Sequence, residues 1–151
     1  MGYKRILVPV DGGATSARGL LEAIKLAHDA RAKLLLLHVV EEYAILGLPE
    51  AGASIGPVLD ALKSSGRRTL ARIERSARRL GVRPETKLIE DFSGRVANAI
   101  VDQAKRWRAD AIVMGTHGRR GLNRVLLGSD AELVVRYSPV PVLLVPARGR
   151  K

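Results

Sequence analysis

Two segments, Arg5 to Val10 and Leu34 to Val40, are nearly continuous apolar runs, and between them Ala17, Leu20, Leu21, Ile24 and Ala27 recur at three- and four-residue spacing. A strand that alternates apolar and polar residues keeps one face in water, whereas one that is apolar throughout has to be covered on both. Runs of this kind separated by a stripe at helical spacing admit few arrangements. The expected one is strand, helix, strand, with the strands parallel and helices over both faces of the sheet. Asp11-Gly12-Gly13 interrupts the first run sharply, so the first strand is expected to end in a turn.

The same alternation continues. A stretch rich in Gly, Pro and small residues, about 43 to 57, reads as a loop that is mobile without ligand. Leu59, Leu62, Leu70, Ile73, Ala77 and Leu80 then trace a long amphipathic helix ending near Gly81. Thr86 to Glu90 reads as a short strand. Ser93 is placed to cap a helix whose buried face is Val96, Ala97, Ile100, Val101, Ala104 and Trp107. Asp110 to Met114 is expected as the fourth strand, a last helix lies around Val134 and Val135, and Val142 to Val145 forms the last strand, bracketed by Pro139, Pro141 and Pro146. No repeat or linker divides the chain. At 151 residues it reads as a single α/β domain over residues 1–151, with a basic tail at 147–151.

Composition excludes several classes of function. There is no cysteine, so neither a disulfide framework nor a thiolate nucleophile or metal site is available. The chain turns into a strand within a few residues of Met1, which leaves no room for a signal-peptide core, and no apolar run approaches the ~18 residues of a membrane span. A cytoplasmic protein is the expectation. With 26 Lys and Arg against 15 Asp and Glu the formal charge is +11, which favours polyanions as partners. Much of the excess lies in Arg67, Arg68, Arg72, Arg75, Arg78 and Arg79, which read first as a solvated helix face. With one Phe, one Trp and three Tyr, the stacking platforms of single-strand binders are largely missing.

The segment richest in chemical information is Gly115-Thr116-His117-Gly118, followed after nine intervening residues by Gly128-Ser129, between a strand and a helix. Loops leaving the carboxyl ends of parallel strands meet helix N-termini, whose free N–H groups and positive dipole favour anions. Glycines there permit positive φ and a close approach of phosphate to backbone. Ser129-Asp130-Ala131-Glu132 also fits a capping box, with Ser129 as the cap. Asp11 closes the first strand at the same edge, where its carboxylate could hold ribose hydroxyls or an adenine amino group, or simply fold an Asx turn. His38 reads as a satisfied core residue and Glu41, Glu42, Glu90 and Asp91 as solvated turn residues. Three scattered histidines make no metal site, and His117 has no partner spaced for nucleophilic catalysis. Neither a Gly-x-x-x-x-Gly-Lys-Ser/Thr loop nor a Gly-x-Gly-x-x-Gly turn after the first strand is present, so no machinery for fast phosphoryl transfer is visible.

Ile6-Leu7-Val8-Pro9-Val10-Asp11-Gly12, the Leu37-His38-Val39 strand end, the closing Pro139-Val140-Pro141-Val142-Leu143-Leu144-Val145 and, above all, Gly115-x-x-Gly118-x9-Gly128-Ser129 resemble the universal stress protein family, in its ATP-binding branch, over essentially the whole chain. The resemblance implies a five-stranded parallel sheet of order 3-2-1-4-5 with helices on both faces, and a homodimer through the last strand. It implies ATP as the bound nucleotide, with any Mg2+ or Mn2+ held by the phosphates. Asp11 and Val39 would then hold adenosine, and Pro9 and Val10 would line the adenine pocket beside Met114. Gly115, Gly118, Arg119, Gly128 and Ser129 would wrap ribose and phosphates, with His117 in the same loop. Asp130 departs from the family, which usually has a small apolar residue there, and a carboxylate at that point repels phosphate.

The reading that follows is a nucleotide-dependent regulatory or stress-response protein. Two alternatives remain open: a scaffold or nucleic-acid-associated module that uses the Arg-rich helix, and a slow ATPase.

Overall fold

The computed structural model describes residues 2–46, 55–117 and 127–147. Its elements are β1 (Arg5–Pro9), α1 (Ala14–Ala30), β2 (Lys33–Glu41), the single turn α2 (Tyr43–Leu46), α3 (Ile55–Arg79), β3 (Glu85–Asp91), α4 (Val96–Trp107), β4 (Ala111–Gly115), α5 (Ser129–Tyr137) and β5 (Val142–Val145). The strands form one sheet of order β3-β2-β1-β4-β5, and every pairing is parallel. This is the architecture that the sequence resemblance implies.

The apolar runs are divided between two cores because successive side chains of a strand point to opposite faces. Ile6 and Val8 of β1, Leu34 and Leu36 of β2 and Val113 of β4 pack against α1 and α3, through Leu20, Ile24, Leu70 and Ile73. Leu7, Leu35, Leu37, Ile112 and Met114 face the other way, onto Ile100 and Trp107 of α4 and Val134 of α5. The two edges differ. Glu85, Thr86 and Lys87 at the start of β3 are exposed, while β5 is Val142-Leu143-Leu144-Val145, with Leu143 exposed.

Several boundaries depart from expectation. α3 begins at Ile55, not near Leu59, because a proline in the first helical turn forfeits no hydrogen bond and Pro57 sits there. Tyr43 to Leu46 is helical, so the expected loop at 43–57 is narrower than its composition suggests, and its middle, 47–54, lies outside the described residues. Ser93 does not cap α4. The helix starts two residues later than a Ser93 cap requires, Arg95 is its N-cap residue, and the Ser93 hydroxyl instead donates to Asp91 Oδ1 at 2.7 Å.

Candidate functional site

In an open parallel sheet, the crevice forms where neighbouring connections leave in opposite directions, at the carboxyl ends of the strands. Here that point lies between β1 and β4, since β1 is flanked by β2 on one side and β4 on the other. A cleft of about 790 Å³ opens there. Pro9, Val10 and Asp11 line it from the end of β1, Val39 from β2, and Met114, Gly115 and His117 from β4 and its exit. Gly128, Ser129 and Asp130 close it from the start of α5. Ten of the twelve residues singled out in the sequence therefore share one cavity. Gly118 and Arg119 lie outside the described residues.

The Asp11 side chain is fixed by its own turn. Its Oδ1 accepts the Gly13 N–H at 2.7 Å, its backbone N–H donates to Ser16 Oγ at 3.2 Å, and Gly12 takes φ +81°, a conformation that favours glycine. The Asx-turn role and a binding role are compatible, because the turn occupies one carboxylate oxygen and leaves the other. Ser16, buried in the first turn of α1, lines the cleft as well. His38 is held by Val10, whose carbonyl lies 2.8 Å from Nδ1, yet its ring also lines the cleft and touches the helix at Gly66. A Cβ on Gly66 would stand 2.8 Å from His38 Cδ2. Sequence reasoning missed Ser16, although its position five residues after Asp11 at a helix start was a usable signal.

The glycines at the β4 exit serve packing. Neither Gly115 nor Gly128 adopts positive φ. A Cβ on Gly115 would stand 2.7 Å from Thr15 Cγ2 and 3.0 Å from Thr15 O, and one on Gly128 would stand 3.0 Å from Thr116 O. A side chain at Gly115 would thus require Thr15 to move and one at Gly128 would press on the Thr116 carbonyl, to which the Gly128 N–H donates at 2.8 Å. Ser129 is not the cap of α5. Gly128 occupies that position with extended backbone, Ser129 is already the first helical residue, and among the described residues no side chain caps the end. Within the described residues the N–H groups of this first turn are therefore not taken by a capping side chain.

Two acidic residues at the ends of β2 and β3 behave differently from solvated turn residues. Glu42 is only 1% exposed and Asp91 7%, and the N–H of Glu42 donates to the Asp91 carbonyl, which holds the two strand ends together. Neither Glu42 carboxylate oxygen has a hydrogen-bond partner among the described residues; Lys63 Nζ stands 3.8 Å away and donates to Glu90 at 2.8 Å. Burial above all raises the Glu42 carboxyl from its ordinary value; Glu90 adds to the rise and Lys63 opposes it. Burial likewise raises Asp130, with the backbone N–H of Ala97 pulling it back and Asp91 adding to the rise. Among the described residues, no three His, Asp or Glu side chains gather as a metal-ligand set.

The family model described as universal stress protein family matches residues 2–146. The chain belongs to the universal stress protein family. Universal stress protein MJ0531 of Methanocaldococcus jannaschii is 38% identical over 143 residues, 95% of this chain and 82% of that protein. YxiE of Bacillus subtilis, another universal stress protein, is 31% identical over 149 residues, 95% of this chain and 99% of its own. Among solved structures, that of MJ0577 matches with a TM-score of 0.85 at 26% identity, over 99% of this chain and 100% of the other. Two more distant universal stress proteins share the fold. One was solved with cAMP (TM-score 0.69, 24% identity, 97% of this chain and 98% of that one). The other, from Archaeoglobus fulgidus, was solved with dAMP (TM-score 0.66, 23% identity, 96% and 99%). Among the described residues of this universal stress protein no helix is long and apolar enough to cross a membrane.

Proposed function

We propose that the chain binds an adenine nucleotide, ATP, in the β1–β4 cleft and acts as a nucleotide-dependent regulatory protein of the stress response in the cytoplasm. The observation that carries this reading is the pairing, in one cavity, of an anchored carboxylate with a helix start whose N–H groups no side chain of the described residues caps. The first suits adenosine hydroxyls or the adenine amino group, and the second suits phosphate. The cavity is of the size that small-molecule sites occupy. Complexes of two fold relatives with cAMP and dAMP support the adenine class. Val10, Val39 and Met114 supply apolar walls for a base, Asp11 its polar anchor, and Gly128 and Ser129 the phosphate end, continued by Gly118 and Arg119. Mg2+ or Mn2+ would be held by the phosphates of the bound ATP. Binding would draw together the ends of β1, β4 and α5, and the regulatory output follows from that movement without a chemical step. The edge strand β5, with Leu143 exposed, is the surface through which two copies would pair.

Titration calorimetry with ATP and adenosine tests the assignment. Asp11→Ala should weaken both ligands by roughly ten- to a hundred-fold, the loss of a hydrogen bond to a charged group. Ser129→Ala should weaken ATP alone. If the wild-type protein binds neither ligand at millimolar concentration, the cleft is not a nucleotide site.

A further inference from the structure

The outer face of α3 carries a feature that the cleft does not use. Between residues 67 and 79 the exposed residues are Arg67, Arg68, Arg72, Arg75, Arg78 and Arg79, and no others. The inward residues of the same stretch, Leu70, Ile73 and Ala77, are buried in the core with Gly66 just before it. Arg68, Arg72, Arg75 and Arg79 are spaced four, three and four apart, so at 3.6 residues per turn they fall within about 60° of arc and run roughly 16 Å along the helix. Their mean direction lies about 160° from that of the buried residues. The stripe therefore points straight out from the domain. Of the six arginines only Arg78 has an ion-pair partner among the described residues, Glu74 at 2.7 Å. Glu50 is the one acidic residue of the chain outside the described set.

We infer that this stripe is a docking surface for the phosphate backbone of nucleic acid, bound without base readout. Four aligned, unpaired guanidinium groups repel one another unless an anion of matching length lies across them, and duplex DNA offers one charge per ~1.7 Å of axis. Guanidinium matches phosphate with two parallel N–H donors, which ammonium does not. A membrane surface fits less well, since an interfacial helix needs a free apolar face alongside its charges, and the apolar residues of α3 that alternate with the arginines, Leu70, Ile73 and Ala77, are spent in the core. An acidic protein partner would want an aromatic or aliphatic anchor at the centre of the charges, and between Arg67 and Arg79 none is exposed; exposed Leu80 lies only at the end of the stripe. The absence of stacking aromatics agrees with backbone contact alone.

The test is fluorescence anisotropy of a labelled 20-base-pair DNA duplex with the full chain, between 50 and 200 mM salt. Contact with about four phosphates predicts a loss of affinity of roughly a hundred-fold over that range. A variant carrying Arg68→Gln, Arg72→Gln, Arg75→Gln and Arg79→Gln, substitutions that suit a helix, should bind at least ten-fold more weakly at 50 mM salt and with a flatter salt dependence. Its circular dichroism melt and its nucleotide titration should match those of the parent chain. A tail variant, Arg148→Gln with Arg150→Gln and Lys151→Gln, should stay within about threefold of wild type. The inference is overturned if the wild-type chain leaves the duplex unbound at 50 mM salt, if the stripe variant binds as well as the parent, or if the tail variant loses as much. It is also overturned if vesicles containing phosphatidylserine are bound more tightly than the duplex through the same four arginines.

Discussion

Replacing Gly115 by alanine isolates the steric argument at the end of β4. The residue does not lie in the left-handed region, so alanine brings no backbone strain there. What it brings is a methyl group 2.7 Å from Thr15 Cγ2, 3.0 Å from Thr15 O and 3.1 Å from Thr15 C. The first contact can be relieved by rotating Thr15. The other two cannot, because the Thr15 carbonyl belongs to the first turn of α1 and moves only with it. Overpacking of this kind costs about 2 kcal/mol, which in a domain of this length lowers Tm by roughly 4–8 °C. Thr15→Ser removes the Cγ2 contact alone, so the double variant Thr15→Ser/Gly115→Ala should recover less than half of the loss. Urea unfolding with an unchanged slope, together with thermal melts, measures both. A Tm for Gly115→Ala within 1 °C of wild type, or full recovery in the double variant, would refute the backbone-contact reasoning.

Other outcomes are equally specific. The Glu42 carboxyl is raised in the fold, so its ionisation opposes folding: stability is fully present below its unfolded value, near 4.5, and falls as pH rises through the folded one. Glu42→Gln should therefore be more stable than wild type at pH 7, by a margin that shrinks as the pH is lowered toward 4.5 in urea titrations at each pH. Asp130→Asn removes a negative charge from the first turn of α5 and should tighten ATP by about fivefold while leaving adenosine unchanged, as calorimetry would read. Leu143→Lys should shift a dimer to monomer in sedimentation at micromolar concentration, and a wild-type chain that is monomeric there would remove the β5 pairing.

The elements were legible because burial on two faces leaves a plain record: apolar runs for β1 and β2, a three-four stripe for α1, α3 and α4. Strand order was not in that record, since every run is apolar alike, and it came through the resemblance carried by Gly115, Gly128 and their neighbours. Errors clustered where the local signal was right about chemistry and off by position. Ser93 and Ser129 are good cap residues that sit outside and inside their helix starts. Gly and Pro around residue 57 hid a helical turn. Glu42 and Asp91 read as surface residues because nothing local reports that two strand ends are drawn together; that is made by the pairing of β2 with β3. The site residues were brought together by the crossover at β1, a long-range fact that only the sheet supplies.

The inequality of the sheet's two edges limits how far copies of this chain can add to one another. Lys87 and the exposed acids of β3 make that margin costly to pair with another strand, and β5 is only four residues long, with Pro141 before it and Pro146 after it. A second copy that joins along β5 consumes the single sticky margin of each subunit and leaves two charged ones facing outward. Growth by strand addition would therefore terminate at a pair instead of continuing into an extended sheet.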